Sequence, residues 1–386
     1  MKVRMDAKSF LAAIEAARGF TDQRATTNAL RCVRVDAAED GGVLVCGNSI
    51  ECAARFAIQA EVAPNGSGAA CFLPGEVATM LKGGDGTALL DAGDQSATLG
   101  LGLASLKIET MPVADFAPIL DQPDGSAFCT VDAGALARAL AATMPVAGGV
   151  FDRPSSLQAV HLEIPAIAGQ QVKLVATDGR RLHVARVDAA DVSVPRDAEG
   201  PAVSSDLPIG AARKLARLLA KRGDAKVRIS AHAKCFRAGV VGSFQFYAKA
   251  NASPFPAWRL SIPNGDLESD GVFAVPSRAI LAALARFAGM GFDNVRLEFT
   301  ERGIDLSSST RRKEDAPIVS LRQVVPAAGA EAMGEPIVFA PALLADAIAA
   351  CGATDVIFCR REGCLVPLRA PSFGGAVTAY VMALHE

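Results

Sequence analysis

One phrase of apolar and polar positions recurs six times along the chain. Its first copy alternates like a strand at Val3 and Met5, reaches Asp6, then steps through Phe10, Leu11 and Ile14 at helical spacing. The phrase returns at Phe72-Leu73-Pro74 with Val77, Met80 and Leu81, and at Phe128 to Asp132 with Leu136 and Leu140. It returns again at Leu207-Pro208 with Leu215, Leu218 and Leu219, and at Val275-Pro276 with Ile280, Leu281, Leu284 and Phe287. The last copy is Phe339-Ala340-Pro341 with Leu343, Leu344 and Ile348. Helix starts at 6, 74, 132, 208, 276 and 341 therefore recur every 58 to 76 residues.

Each predicted helix has a local reason to begin and end. Asp6 and Asp132 suit N-caps, and Pro74, Pro208, Pro276 and Pro341 suit a first helical position that lacks a donor. Gly19, Gly83, Gly148, Gly223, Gly289 and Gly352 follow as helix-ending residues. Between the helices lie alternating β-type runs at 32–36, 42–46 and 52–58, then 172–176 and 184–187. Others fall at 227–230, 235–240, 243–248, 295–299 and 303–307, with Gly/Asp/Asn turns between neighbours. The unit is one helix followed by three or four antiparallel strands. Alone it has two open edges and half a core, so units should pair. Six units give an α+β chain of three tandem domains, each a pseudo-twofold pair of helix-plus-antiparallel-sheet repeats. The Pro/Gly/Asp-rich stretches 121–126 and 263–270 place the domains at 1–125, 126–264 and 265–386.

Composition narrows the function classes. A chain of 386 residues exceeds one ordinary core, and 51% hydrophobic content with mean hydropathy +0.27 describes packed domains. The start, MKVRMDAKSF, lacks a signal-peptide pattern, and no apolar run is long enough to span a membrane, so a cytoplasmic protein is expected. Nine cysteines contain no CxxC pair and four histidines no HExxH, so neither a metal nor another cofactor is expected. No Walker loop, dinucleotide fingerprint or GxSxG elbow is present. Asp178, in the corner of Val-Ala-Thr-Asp-Gly-Arg-Arg-Leu-His-Val (175–184), is better suited to a turn than to acid catalysis. The chain reads as a binding protein rather than an enzyme.

Charge is unevenly spread. Lys and Arg number ten against sixteen Asp and Glu in 1–125, eighteen against ten in 126–264, and eleven against fifteen in 265–386. A basic middle third between acidic flanks fits an anionic partner met on one face.

Four phrases in order carry a family resemblance: Met111-Pro112-Val113-Ala114-Asp115-Phe116, Ala176-Thr177-Asp178-Gly179-Arg180-Arg181-Leu182, Phe255-Pro256-Ala257-Trp258-Arg259-Leu260-Ser261-Ile262-Pro263, and Tyr380-Val381-Met382. With the sixfold repeat, they make the whole chain resemble the β subunit of bacterial DNA polymerase III, the DNA sliding clamp. The resemblance implies a crescent that dimerises head to tail into a ring around double-stranded DNA, with helices inside and sheets outside. It implies a non-catalytic processivity factor that tethers polymerase, clamp loader and repair proteins through short linear peptides.

Site residues follow from the same resemblance. DNA contact is expected from Lys8, Arg24, Arg138, Arg213, Lys214, Arg217, Lys221, Arg222 and Arg278, strongest on the fourth helix, where Arg213, Arg217 and Lys221 recur at four-residue steps. The partner-peptide groove is expected from Leu157, Thr177, Gly179, Arg180, Arg181, Leu182, Pro256, Leu260, Ser261, Leu343, Tyr380, Val381, Met382, Ala383 and Leu384. Dimer closure is expected from Leu106, Lys107 and Ile108 against a neighbour's Arg286 and Phe287. Leu260 stands where the family is often basic, and Ser261 where it is apolar. The ending Met-Ala-Leu-His-Glu also departs from the family's usual proline and basic residue. These departures suit a divergent clamp copy serving a specialised polymerase or a mobile element; an enzyme on the same repeated scaffold is the remaining alternative.

Overall fold

Each helix is led in by a strand that hydrogen-bonds to the other unit's sheet, and this exchange is how the half-cores close. The computed structural model describes residues 1–117, 123, 126–148, 154–167, 169–195, 202–262, 271–310, 318–359, 365–369 and 377–384. The predicted linkers 121–126 and 263–270 fall almost wholly outside the described residues.

Among the described residues six long helices are observed: Ala7–Arg18, Pro74–Leu81, Ala133–Thr143, Ile209–Ala220, Ser277–Gly289 and Pro341–Cys351. Asp6 accepts from the Ser9 N–H at 2.8 Å and Asp132 from the Ala135 N–H at 2.8 Å, so both carboxylates cap as expected. Pro74 and Pro341 begin their helices, whereas Pro208 and Pro276 precede theirs. The latter two are still extended and in register with Ala159 and Asp355, so sheet pairing holds them one residue back. Gly289 closes its helix instead of following it, and Gly291, at φ +75°, takes the left-handed position.

The strand exchange repeats three times. Lys2–Asp6 pairs with Thr87–Ala92 of the next unit, while Gly68–Phe72 pairs back with Val33–Ala37. Ala127–Asp132 pairs with Lys226–His232, and Ala202–Pro208 with Ala159–Pro165. Gly271–Pro276 pairs with Asp355–Cys359, and Ile337–Phe339 with Val295–Thr300. The two helices of each pair pack side by side on the same face.

Two sheets then run across from one pair to the next. Phe244–Lys249 adds to Cys52–Gln59 to make a nine-stranded sheet, with Phe244 opposite Phe56 and Ala248 opposite Cys52. Val377–Met382 adds to Arg181–Val187 to make an eight-stranded sheet, with Leu182 opposite Tyr380 and His183 opposite Ala379. A five-stranded sheet ending at Ala104–Glu109 and a four-stranded sheet ending at Val319–Val325 remain. All named pairings are antiparallel, and the alternating burial turns one face of each sheet to the helices.

Two small clusters sit on the opposite face. Phe116, with Met111 and Val113 partly buried, covers Cys46 and Cys71; Trp258 and Ile262 cover Val175, Leu182, Val184 and Tyr380. Both covers are proline-led segments with a 3-10 turn, Val113–Asp115 and Trp258–Ser261. The eight described cysteines are buried and unbridged, and burial pushes the thiols of Cys46, Cys71, Cys129 and Cys351 up to about 12. Among the described residues no helix is long and apolar enough to cross a membrane.

Candidate functional site

The corner at Thr177–Arg181 is built by its own side chains. Asp178 Oδ1 accepts from the backbone N–H groups of Arg180 at 2.9 Å and Arg181 at 2.8 Å. The Thr177 hydroxyl donates to the Arg181 carbonyl at 2.7 Å, and Gly179 turns at φ +83°. Burial would raise the Asp178 carboxyl, but these N–H donors and the Arg181 charge outweigh it and hold it below its usual range. Asp178 is therefore ionised and committed to the turn, as its position in the sequence suggests.

Arg181 behaves differently from the expectation. It is buried, its guanidinium bound to Asp178 Oδ2 at 3.0 Å and to Asp346 Oδ2 of the sixth helix at 2.6 Å. Its charge ties the turn to that helix and is not offered to a peptide. Arg180 is the exposed arginine of the corner. Its carbonyl accepts from the Met382 N–H at 3.0 Å, which draws the last strand alongside.

Pairing of Arg181–Val187 with Val377–Met382 brings two of the expected groove segments together, and the expected residues lie at different depths. Leu182 and Tyr380 are buried under Trp258 on one face of the sheet, and Val381 and Ala383 are buried in the helix-side core on the other. Leu157, Thr177, Leu343 and Met382 are half-buried, while Gly179, Arg180, Pro256, Leu260, Ser261 and Leu384 are exposed. Leu384 is pinned by a bridge to Val338. Leu260, 87% exposed, stands free of the Trp258 cluster.

What fixes segment 255–262 was not anticipated. Glu163, 5% exposed, accepts from Trp258 Nε1 at 3.1 Å and from Arg259 at 2.8 and 2.6 Å. His161 bridges Glu163, at 3.2 Å, and Asp206, at 2.6 Å, and stacks on Phe255 with ring centres 4.9 Å apart. Asp206 also accepts from the Phe255 N–H at 3.2 Å. A buried carboxylate is costly unless paired, and here every partner belongs to the segment or to the strand beneath it. Burial alone would lower His161, but its bonds to Asp206 and Glu163 raise it to about 9. Burial would likewise raise Glu163, but His161 and Arg259 pull it down to about 2.

The sign of the pH dependence follows. His161, raised from 6.5, contributes fully below that value and loses its contribution as pH rises through about 9. Glu163, lowered from 4.5, contributes above that value and loses it only as pH falls through about 2. Trp258 is the single tryptophan of the chain. Its emission is expected to stay constant from about pH 5 to about pH 7 and to shift as the segment loosens through about pH 9. His161→Gln should flatten that alkaline shift; a transition that persists in the variant would belong to another group.

The fourth helix turns Ala211, Ala212, Leu215, Ala216 and Leu219 inward, leaving Arg213, Arg217 and Lys221 exposed along one stripe. Lys214 and Arg222 are instead half-buried at the first joint. Lys214 Nζ lies 5.6 Å over Phe20, and the Arg222 guanidinium lies 4.2 Å over Phe244, where burial lowers its pKa. Lys214 thus reaches across the joint, while Arg222 supports the strand that makes it. Arg24, Arg138 and Arg278 are exposed, and Lys8 pairs with Asp85 at 2.8 Å.

At the open sheet edges, Leu106 and Ile108 are half-buried on Ala104–Glu109 and Lys107 points outward. Arg286 donates to Gln323 of the other edge strand at 2.8 Å. Phe287 departs from the expectation. It is fully buried in the core of the last third, against Phe292, so it supports the helix from behind rather than facing a neighbour. Among the described residues no group of three side chains could hold a metal ion.

Solved structures match this architecture along its full length. The DNA polymerase III subunit beta from Pseudomonas aeruginosa has a TM-score of 0.83 at 20% identity, with 100% of both chains covered. The DNA polymerase III beta subunit of Thermotoga maritima has 0.77 at 17%, covering 100% of this chain and 99% of its own. The Helicobacter pylori beta clamp bound to a DNA ligase peptide has 0.78 at 13%, with 100% of both chains covered. No family model and no curated protein matches the sequence. At 20% identity and below, the likeness speaks to the fold: this chain is folded as the DNA polymerase III β subunits, the sliding clamps, are.

Proposed function

We propose that the chain is a DNA sliding clamp: a non-catalytic homodimeric ring that encircles duplex DNA and tethers polymerases and repair proteins through the groove at Thr177–Arg181. Domains at 1–125, 126–264 and 265–386 would each contribute two helices to the lining. One observation carries the reading. The third strand after the second helix of two pairs joins the third strand after the first helix of the preceding pair, at Phe244–Lys249 with Cys52–Gln59 and at Val377–Met382 with Arg181–Val187. Ala104–Glu109 and Val319–Val325 are a strand of each kind, and both are sheet edges. Joined between two chains, they repeat the rule and close a six-domain ring head to tail.

A ring that slides must hold phosphates without reading bases, and exposed Arg213, Arg217 and Lys221 suit that contact. A groove with an apolar base and Arg180 at its rim suits a peptide with hydrophobic anchors and an acidic or polar flank. The DNA ligase peptide bound by the Helicobacter pylori clamp is an apt probe. Removing all of 380–386 would cut into the strand Val377–Met382 and its pairing with Arg181–Val187. Leu343→Asp with Met382→Asp alters half-buried positions only. Those substitutions are expected to weaken the peptide at least about tenfold while leaving retention on circular DNA intact. Unchanged affinity would move the groove elsewhere.

Exposed Leu260 and Ser261, at positions the resemblance marks as basic and apolar, favour a divergent copy with its own partner set. Comparing this chain with a housekeeping clamp against replicative and specialised polymerase peptides separates the two readings.

A further inference from the structure

A hollow of about 550 Å³ lies on the helix side of the first joint, between the first helix, Ala7–Arg18, and the fourth. That is within the size range of small-ligand sites. Its two walls differ. On the first helix the lining side chains are small, at Ala12, Ala13 and Ala16, and the floor is Phe20, Phe56 and Ile58. The other wall is basic, with Lys214, Arg217, Lys221 and Arg222 all bordering the hollow. Glu15 is the one acid among the lining residues, and it pairs with Lys82 at 3.6 Å. Among the described residues none of the four cations has a carboxylate within ion-pair distance.

Arg222 feels this imbalance most. Its Nε is buried without a hydrogen-bond partner, and desolvation lowers its pKa. An anion placed in the hollow would offset that cost. The two walls together suit an anion with an apolar body. A phosphate backbone would use the cations but leave the alanine wall and the floor idle, so the proposed DNA contact does not account for the hollow. Phe20 and Phe56 are tilted by 47° with ring centres 6.0 Å apart, and they are only 5% and 6% exposed. The floor therefore offers ring edges in place of a flat stacking face, which favours a flexible chain over a planar ring.

We propose that this hollow binds a single acyl chain ending in an anion, with the chain along Ala16, Phe56 and Ile58 and the head among Lys214, Lys221 and Arg222. The head is presented either as a fatty-acid carboxylate or as a single-chain phosphate ester. Isothermal titration of the full chain without DNA and below the micelle concentration tests it, with dodecanoate in one arm and dodecyl phosphate in the other. Its outcome is independent of the clamp reading. One site per chain is expected, with Kd below about 1 mM. Decanoate should bind about tenfold more weakly than dodecanoate, because each buried methylene contributes. Dodecyltrimethylammonium, the same chain with the opposite charge, should be weaker by at least about tenfold. Ala16→Phe fills the hollow from a half-buried position, and Lys221→Gln removes an exposed cation; each should weaken dodecanoate at least about fivefold. Arg18→Gln, on the same helix but outside the hollow, should leave it within about twofold. Dodecanoate at least as tight as dodecyl phosphate supports the site with a fatty acid as its ligand. Tighter dodecyl phosphate supports it with a phosphate ester. No binding below about 1 mM, affinity indifferent to chain length or to head charge, or affinity unchanged by both Ala16→Phe and Lys221→Gln would each overturn the proposal.

Discussion

Replacing Arg213, Arg217 and Lys221 together by glutamate is expected to abolish retention of the protein on circular duplex DNA without changing its mass in solution. All three are exposed on the stripe opposite the buried Leu215 and Leu219, so their loss removes no core contact. Each phosphate contact removed lowers the slope of log affinity against log salt by roughly 0.9, and the introduced carboxylates add repulsion. Two chains per ring double the change. The measurement is the fraction of protein that remains with nicked circular plasmid through a sizing column, at two salt concentrations. Lys214 and Arg222 are kept in this variant because Lys214 lies over Phe20 across the first joint and Arg222 lies over Phe244 on the strand that makes it. If Arg213, Arg217 and Lys221 are irrelevant, the triple variant will be retained like the parent, and this helix would not line the hole.

The parts of the fold legible in the sequence are those set by neighbours in the chain. Asp6 and Asp132 cap helices because the N–H groups they satisfy lie three residues ahead. Thr177, Asp178 and Gly179 make their corner from bonds that span no more than four residues. The exposed stripe on the fourth helix needs only the 3.6-residue period. Where the pattern was set aside, the assignment failed. Ile280, Leu284 and Phe287 share one helical face, so the period itself puts Phe287 in the core, while Arg286 beside it faces out.

The groove's support was hidden for the opposite reason. His161 meets Asp206 across 45 residues, and Glu163 meets Arg259 across 96. These contacts depend on the pairing of 159–165 with 202–208 and on the path of segment 255–262 over the sheet. Neither has a local signal; at best, His161 and Glu163 two apart in an apolar strand mark a polar spot on one face. Arg181 was misread for the same cause, because Asp346 arrives from a helix 165 residues away. Sequence spacing identified the corner but not which arginine it would keep for itself.

Closure of the ring is the other result with a large expected effect. The edge strand Ala104–Glu109 presents Leu106 and Ile108 half-covered, with Leu103 fully exposed just before it. The edge strand Val319–Val325 follows exposed Ile318 and carries exposed Val324. Open edges with apolar side chains are a liability in a lone chain, and each has what the other lacks. Placing an aspartate at both Leu106 and Ile108 would bring unpaired charge into the joint, at a cost of at least about 2 kcal/mol each, and a ring contains the joint twice. The parent chain is expected near twice its 39.8 kDa by light scattering, and the double variant near 39.8 kDa at the same concentration. Retention on circular DNA should fall with it although Arg213, Arg217 and Lys221 are untouched, because an open crescent cannot be topologically held. A variant that keeps the doubled mass would show that these edges do not meet, and the head-to-tail ring would have to be abandoned for another arrangement of the same fold.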